Sequence, residues 1–500
     1  MGAVSERLSY RFGPLERRGI LGPIRAGQAG TIAVGALLAI AILDRAPTAT
    51  GAVLATTTFG ALVLIALAPL GRRTAEEWAP VILAFVLRRL LRRSRFRSGL
   101  PTRGLLADEH AAQQRRTVTQ PRPELPRELR GVSITQVGYR DRSIGVIREQ
   151  RGRRLTAVLA CRVVAFSLLD PEAQERRLAR WGMVLAGAAG TSVRRLQWIE
   201  RTAPAQGDEL ARWLQSARDP AVPPRGTAMI ESYLELIDAT ARVTQEHEIL
   251  IAVQVDARHR DSGAGSASDA LVEQTERIAQ GLEAAEVTVL GALSAGQIAR
   301  TLRTAFDPYC RTELAALEAT DRDRRGLEQA NAWPLGAREA WDHYRSDGAV
   351  HATHWVGAWP RVDVSPMFMD ALLSNSSAVR TVAVTFEPIA PERSTREVEA
   401  AVTRDRADHD LRLRFGQSET ARQRQAEEST LRREAELAAG HGEVRLAGFV
   451  TVSGRDADDL RRGCAEVHEH AARARLELHR MYGQQADAFT FTLPMCRGLR

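Results

Sequence analysis

The sequence predicts an α+β protein in which an N-terminal transmembrane helical hairpin is followed by a two-part cytoplasmic α+β body. Three observations carry this expectation. Two uncharged apolar runs, Ala26 to Leu43 and Ala46 to Gly71, are separated only by Asp44 and Arg45. Beyond a Pro-rich stretch at Gln120 to Pro126, strand-like and helix-like segments alternate. A charged region with sparse apolar positions, Thr395 to Ala439, then lies between two strand-like segments.

Each apolar run approaches or exceeds the ~20 residues that cross ~30 Å of hydrocarbon as a helix. Pro47 favours a turn between them. Gly27, Gly30 and Gly35 dilute the first run, so a buried core helix or a signal peptide is the plainer alternative. A signal peptide fits badly, because a second span follows within a few residues and would act as a stop. Arg7, Arg11, Arg17, Arg18 and Arg25 precede the first run, and a further arginine group from Arg72 to Arg97 follows the second. The positive-inside rule then places both termini in the cytoplasm and the short turn outside, a multi-pass arrangement in the cell inner (cytoplasmic) membrane.

Trp78 to Leu87 is apolar but too short to span unaided. It suits a helix at the interface, with Trp78 at headgroup depth and Arg88, Arg89, Arg92 and Arg93 on anionic lipid. The net charge of +8 invites nucleic acid as a rival partner. Much of that charge lies beside the apolar runs, where membrane topology explains it more simply, so direct nucleic-acid binding is disfavoured.

The organisation expected is a membrane hairpin with its basic interfacial helix over 1–100 and a Pro-rich linker over 101–130. A first α+β domain over 131–330 and a second over 331–500, carrying the charged helical hairpin, complete it. In the first, Leu155 to Val164, Ser192 to Glu200 and Ile249 to Val255 read as strands. Pro171 to Ala189, Met229 to Val243 and the stretches from Leu271 and Gln297 read as helices, with a flexible loop at Asp261 to Ser268. In the second, Val350 to Val356, Val379 to Phe386 and Glu443 to Val452 read as strands, and Asp456 to Leu476 as the last helix. No fixed-period repeat is visible.

The composition excludes several chemistries. There is no lysine, hence no phosphate-binding loop of the G-x-x-x-x-G-K-[ST] kind and no Schiff-base lysine. Cys161, Cys310, Cys464 and Cys496 lie far apart, with neither metal-ligand nor disulfide-framework spacing, and read as reduced thiols. His351 and His354 form an H-x-x-H, but on a strand these positions face opposite sides, and no nearby Glu or Cys completes a site. Trp333, Trp341, Tyr344, Trp355, Trp359 and Phe368 concentrate aromatic residues in a chain that is 5% aromatic, and core packing explains them better than a partner surface. Glu434 with His441 suggests acid–base chemistry, yet helix capping before Gly440 is the simpler account. No catalytic, metal or cofactor residue is assigned, and the chain is not read as an enzyme. A membrane-bound enzyme acting on lipid or cell-wall precursors is the remaining catalytic alternative.

In order, the motifs resemble those of actinobacterial PrgI-like conjugation-element membrane proteins. The resemblance rests on Arg11-Phe12-Gly13 and Arg18-Gly19 before the hairpin, and on Leu87-Arg-Arg-Leu-Leu91 after it. Arg194 to Trp198, Trp355 with Trp359-Pro360-Arg361, and Arg433 to Leu437 with Gly440-His441 continue it. Tyr482 to Gln485 and Leu493 to Leu499 complete it, so that it covers most of the chain. The resemblance implies a scaffold subunit of a type IV secretion-like conjugative machine. Its body is then similar to the non-motor N-terminal part of the secretion ATPase, and its hairpin to the small inner-membrane subunit. The partners implied are a secretion ATPase on another chain, other secretion subunits and copies of itself within a larger complex. An EccE-like membrane subunit of a type VII secretion system shares the same plan and stands as the alternative.

Overall fold

A computed structural model describes residues 26–67, 69–70, 73–98, 124–139, 142–149, 153–163, 166–204, 245–257, 267–311, 329–360, 364–373, 377–414, 421–440 and 442–499, with a few isolated positions between. Nearly all of the predicted helix at Met229 to Val243, most of the loop at Asp261 to Ser268, and the start of the Pro-rich stretch lie outside the described residues. The chain divides into two compact units, one spanning Pro14–Ser94 and the other containing Arg95–Arg500.

The smaller unit holds α1 (Ala26–Arg45), α2 (Ala49–Leu67) and α3 (Ala75–Leu90), with a short ribbon of β1 (Pro69–Leu70) and β2 (Arg73–Thr74) between the last two. α1 and α2 fold back on each other through a turn that only glycine permits. A Cβ at Gly51 would overlap the carbonyl of Ala46. The Thr48 hydroxyl accepts the Gly51 N–H at 3.2 Å and so caps the start of α2. Gly35 lets the helices approach closely, since a Cβ there would sit 3.2 Å from the Leu62 Cβ. Near the other end the Gln28 amide donates to the Ala66 carbonyl at 3.1 Å.

The larger unit is built on one antiparallel sheet. Its strands are β3 (Arg95–Arg97), β4 (Ser133–Tyr139), β5 (Arg142–Glu149), β6 (Arg154–Arg162), β7 (Val193–Pro204), β8 (Gln245–Asp256), β9 (Thr288–Ala292), β10 (Gly336–Glu339), β11 (Tyr344–Ser346), β12 (Ala349–Ala358), β13 (Val379–Pro388), β14 (Val444–Gly454) and β15 (Glu477–Arg480). The lateral order is β3-β10-β11-β12-β14-β13-β7-β8-β6-β5-β4, with β15 also on β12 and β9 also on β6. The helices are α4 (Pro171–Ala188), α5 (Ala267–Ala284), α6 (Ala295–Phe306), α7 (Asp370–Leu373), α8 (Pro391–Arg414), α9 (Ala421–Ala438), α10 (Ala457–Arg473) and α11 (Gln485–Phe489). The strands and helices expected at Leu155, Pro171, Ser192, Ile249, Leu271, Gln297, Val350, Val379, Glu443 and Asp456 are all present. Local chemistry sets several helix starts: Asp170 caps α4 with Pro171 in its first turn, Ser294 and Gln297 form a capping box on α6, and Asp456 caps α10.

The strand order discloses a duplication. β6, α4, β7, β8, α5 and β9 form a β-α-β-β-α-β unit laid out β9-β6-β8-β7, the ferredoxin-like arrangement. β12, α7, β13, β14, α10 and β15 repeat it as β15-β12-β14-β13. Each unit is preceded by a strand pair, β4–β5 or β10–β11, and followed by a helix, α6 or α11. Even the helix ends agree. After α5 and α10 the chain turns through the left-handed residues Glu286 (φ 61°) and Arg475 (φ 57°). In each case the next N–H returns to the helix, Val287 to the Leu282 carbonyl at 3.0 Å and Leu476 to the Ala471 carbonyl at 2.8 Å.

The two repeats join edge to edge, β7 against β13, with Leu196 opposite Phe386 and Arg201 opposite Thr381. α4, α5, α7 and α10 cover one face of this sheet, where Leu196, Ile251, Val253 and Ile278 form one core and Val382, Val450, Val452 and Val467 another. α6, α11 and the last residues of the chain cover the opposite face around Ile199, Leu250, Ile298, Phe489 and Met495. Between β13 and β14 the charged region forms the expected helical hairpin, α8 packed on α9, with Val398, Ala401 and Val402 buried. Its root is fixed at Glu443, which receives Ser394 and Arg433, and at Glu397, which pairs with Arg445 at 2.6 Å.

Candidate functional site: the membrane unit

The apolar character of α1 and α2 faces outward. Val34, Leu37, Leu38, Ile40, Val53, Leu54, Leu64 and Ile65 are exposed, and only Gly51, Ala55 and Ala66 are buried on α2. In water such a surface is costly at roughly 25 cal/mol per Å² of apolar area. A core helix of a soluble domain hides most of its apolar side chains, and these helices do the opposite. Both are long and apolar enough to cross a membrane. Polar groups within them are satisfied locally, with Thr56, Thr57 and Thr58 donating back to carbonyls of the preceding turn.

α3 carries the second half of the site. Val81 and Phe85 are its buried positions, while Ile82, Leu83, Val86, Leu87 and Leu90 are exposed around the rest of the helix. Its C-terminus closes in a Schellman turn: the Arg93 N–H donates to the Arg88 carbonyl at 2.8 Å and the Arg92 N–H to the Arg89 carbonyl at 3.1 Å. Arg92 occupies the left-handed position of that turn, φ 54°. Glycine is the relaxed choice there, and a side chain costs about 1 kcal/mol. A positive charge therefore stands where backbone preference asks for none, beside the negative end of the helix dipole.

The sequence-predicted chemistry in the body resolves into packing. His351 and His354 lie on opposite faces of β12. The His351 ring is held by Ser346 at 2.9 Å, the Phe306 carbonyl at 3.0 Å and Ser453 at 2.8 Å, and burial lowers its pKa to about 4. His354 packs edge-on against His468 with ring centres 4.7 Å apart. Burial first, then the neighbouring His468 and Arg480, lower its pKa to about 3. Trp333 and Tyr344 are core residues. Glu434 is exposed on α9, and His441 lies outside the described residues. Among the described residues no group of three His, Cys, Asp or Glu side chains is placed to hold a metal. All four cysteines are free and buried, and burial pushes the Cys161 thiol up to about 12.

One assembly of functional-looking side chains has no local sequence signal. Buried polar residues on neighbouring strands grip the main chain of the last residues: Gln197 donates to the Phe491 carbonyl at 2.7 Å and accepts the Cys496 N–H at 2.8 Å. Gln254 donates to the Met495 carbonyl at 3.0 Å, and Thr385 to the Arg497 carbonyl at 3.1 Å. The Arg497 guanidinium reaches Glu149 at 2.7 Å in return. These groups satisfy a buried irregular segment, and they bind the chain to itself.

No protein-family model matches the chain, and neither does any curated protein sequence.

Proposed function

We propose that this chain is an inner-membrane scaffold subunit of a type IV secretion-like conjugative transfer machine, anchored by α1 and α2 and docking a motor ATPase carried by another chain. The observation that carries the reading is the outward-facing apolar surface of the helical hairpin, which a bilayer accommodates and water does not. The arginine-rich flanks favour both termini in the cytoplasm, which puts the large body on the side where a nucleotide-driven motor works. These 500 residues contain no lysine and so no phosphate-binding loop of the G-x-x-x-x-G-K-[ST] kind, which supports a motor supplied by a separate protein. The machine itself is suggested by the resemblance to PrgI-like conjugation-element proteins.

Purification of the full chain from native membranes in mild detergent tests the proposal. A motor ATPase and further secretion subunits are expected to co-purify in reproducible proportion. Recovery of the chain alone, or with small type VII substrates and their ATPase instead, contradicts it.

A further inference from the structure

We infer that α3 is sunk into the cytoplasmic leaflet beside the hairpin and gathers anionic phospholipid around its C-terminal arginines. This rests on the membrane reading of α1 and α2, and it adds a partner to that reading.

The depth follows from the distribution of side chains. A helix resting on a membrane surface has one apolar face and one polar face. From Trp78 to Leu87 α3 has no charged residue at all. Its inward positions Val81 and Phe85 are apolar, and so are Leu83 (69% exposed), Val86, Leu87 and Leu90 (74% exposed) on its other sides. A helix that is apolar all round belongs in hydrocarbon or a protein core, and among the described residues its outer sides stand exposed. Yet it is too short to cross: sixteen residues rise about 24 Å, and the uncharged part rises less. It therefore enters one leaflet and stays there, next to α2, from which only residues 68–74 separate it.

The partner follows from charge. The apolar stretch runs straight into Arg88 and Arg89, and the closing turn adds Arg92 and Arg93. Arg89, Arg92 and Arg93 are exposed. At the end of a helix sunk in a leaflet such side chains lie at phosphate depth, where long arginines reach upward while their stems stay in lipid. The left-handed turn holds Arg92 there at a cost in backbone strain that glycine would avoid. Zwitterionic lipid gives the cluster no net countercharge, whereas phosphatidylglycerol and other anionic lipids do.

The test places a single reporter in the full chain, whose described cysteines are buried. Leu83→Cys or, on the hairpin, Leu37→Cys carries a bimane fluorophore after reconstitution into vesicles of phosphatidylcholine with a minority of phosphatidylglycerol. Acyl-brominated lipid is expected to quench both labels, and aqueous iodide neither. At equal mole fraction brominated phosphatidylglycerol should quench the Leu83→Cys label at least about threefold more than brominated phosphatidylcholine. Combining Arg89→Gln, Arg92→Gln and Arg93→Gln should bring that ratio to one with the Leu37→Cys signal unmoved. Iodide quenching at Leu83→Cys with Leu37→Cys shielded overturns the inference alone, as does equal quenching by the two lipids. Iodide quenching at Leu37→Cys instead overturns the hairpin reading beneath it.

Discussion

Arg195 on β7 donates to the carbonyl of Leu499 at 2.9 Å, a contact between residues 304 apart in the chain. The same guanidinium pairs with Glu387 on β13 at 2.8 Å. One side chain thus touches both repeats and the terminal segment that lies across them. Arg195 itself is buried, so its guanidinium relies on these partners rather than on water.

The terminal segment should therefore control the stability of the whole body. Gln197→Leu leaves the buried Cys496 N–H and the half-buried Phe491 carbonyl without their partner, an expected loss of about 1–3 kcal/mol. Urea denaturation of the full chain in detergent measures it. A loss below about 0.5 kcal/mol, the range of ordinary surface substitutions, would show that the segment is not held as described.

The α1–α2 hairpin should depend on the glycine at its turn. At Gly51 a methyl group overlaps the Ala46 carbonyl, so Gly51→Ala must open the turn between α1 and α2. Overpacking of this kind costs about 1–3 kcal/mol. Gly60, with open space around it, should accept alanine without effect. Distances between spin labels at Val34 and Leu64 report the outcome. A broadened distribution for Gly51→Ala and an unchanged one for Gly60→Ala are expected.

Acid should weaken the body through its buried histidines. His351 and His354 keep folded pKa values near 4 and 3, below the ordinary 6.5. Between those limits the unfolded chain binds more protons than the folded one, so stability rises with pH. The contribution is complete above about pH 6.5 and is lost as the pH falls toward 4. At pH 5 the loss is roughly 2 kcal/mol for each residue. Thermal unfolding at pH 7 and pH 5 checks this, and His351→Asn with His354→Asn should flatten the dependence between the two.

Much of the fold was legible because apolar periodicity is a local signal. Leu155 to Val164 and Ile249 to Val255 announced strands, though not that they pair, and Asp456 to Leu476 announced α10. High charge with sparse apolar positions pointed to helices where α8 and α9 lie. The strands at Ser133–Tyr139 and Arg142–Glu149 escaped notice, since their polar and apolar residues mix at the edge of the sheet. The duplication escaped too. Its repeats share topology and two left-handed turn residues, Glu286 and Arg475, but those residues differ in type and no common motif marks them.

The terminal grip on Gln197 and Gln254 was not legible for a different reason. Side chains bonding to main chain hundreds of residues away leave no pattern in a window of sequence. Leu493 to Leu499 stood out only through resemblance. The two apolar helices were readable throughout, because a long uncharged run is itself a local signal.

Topology in intact cells tests the central claim most directly. Asp44→Cys lies at the turn between α1 and α2, and Arg130→Cys lies on the body, both exposed. A membrane-impermeant maleimide added outside should label Asp44→Cys in intact cells and Arg130→Cys only after permeabilisation. Labelling of Arg130→Cys in intact cells, or of Asp44→Cys only in broken ones, would contradict a hairpin with its body inside.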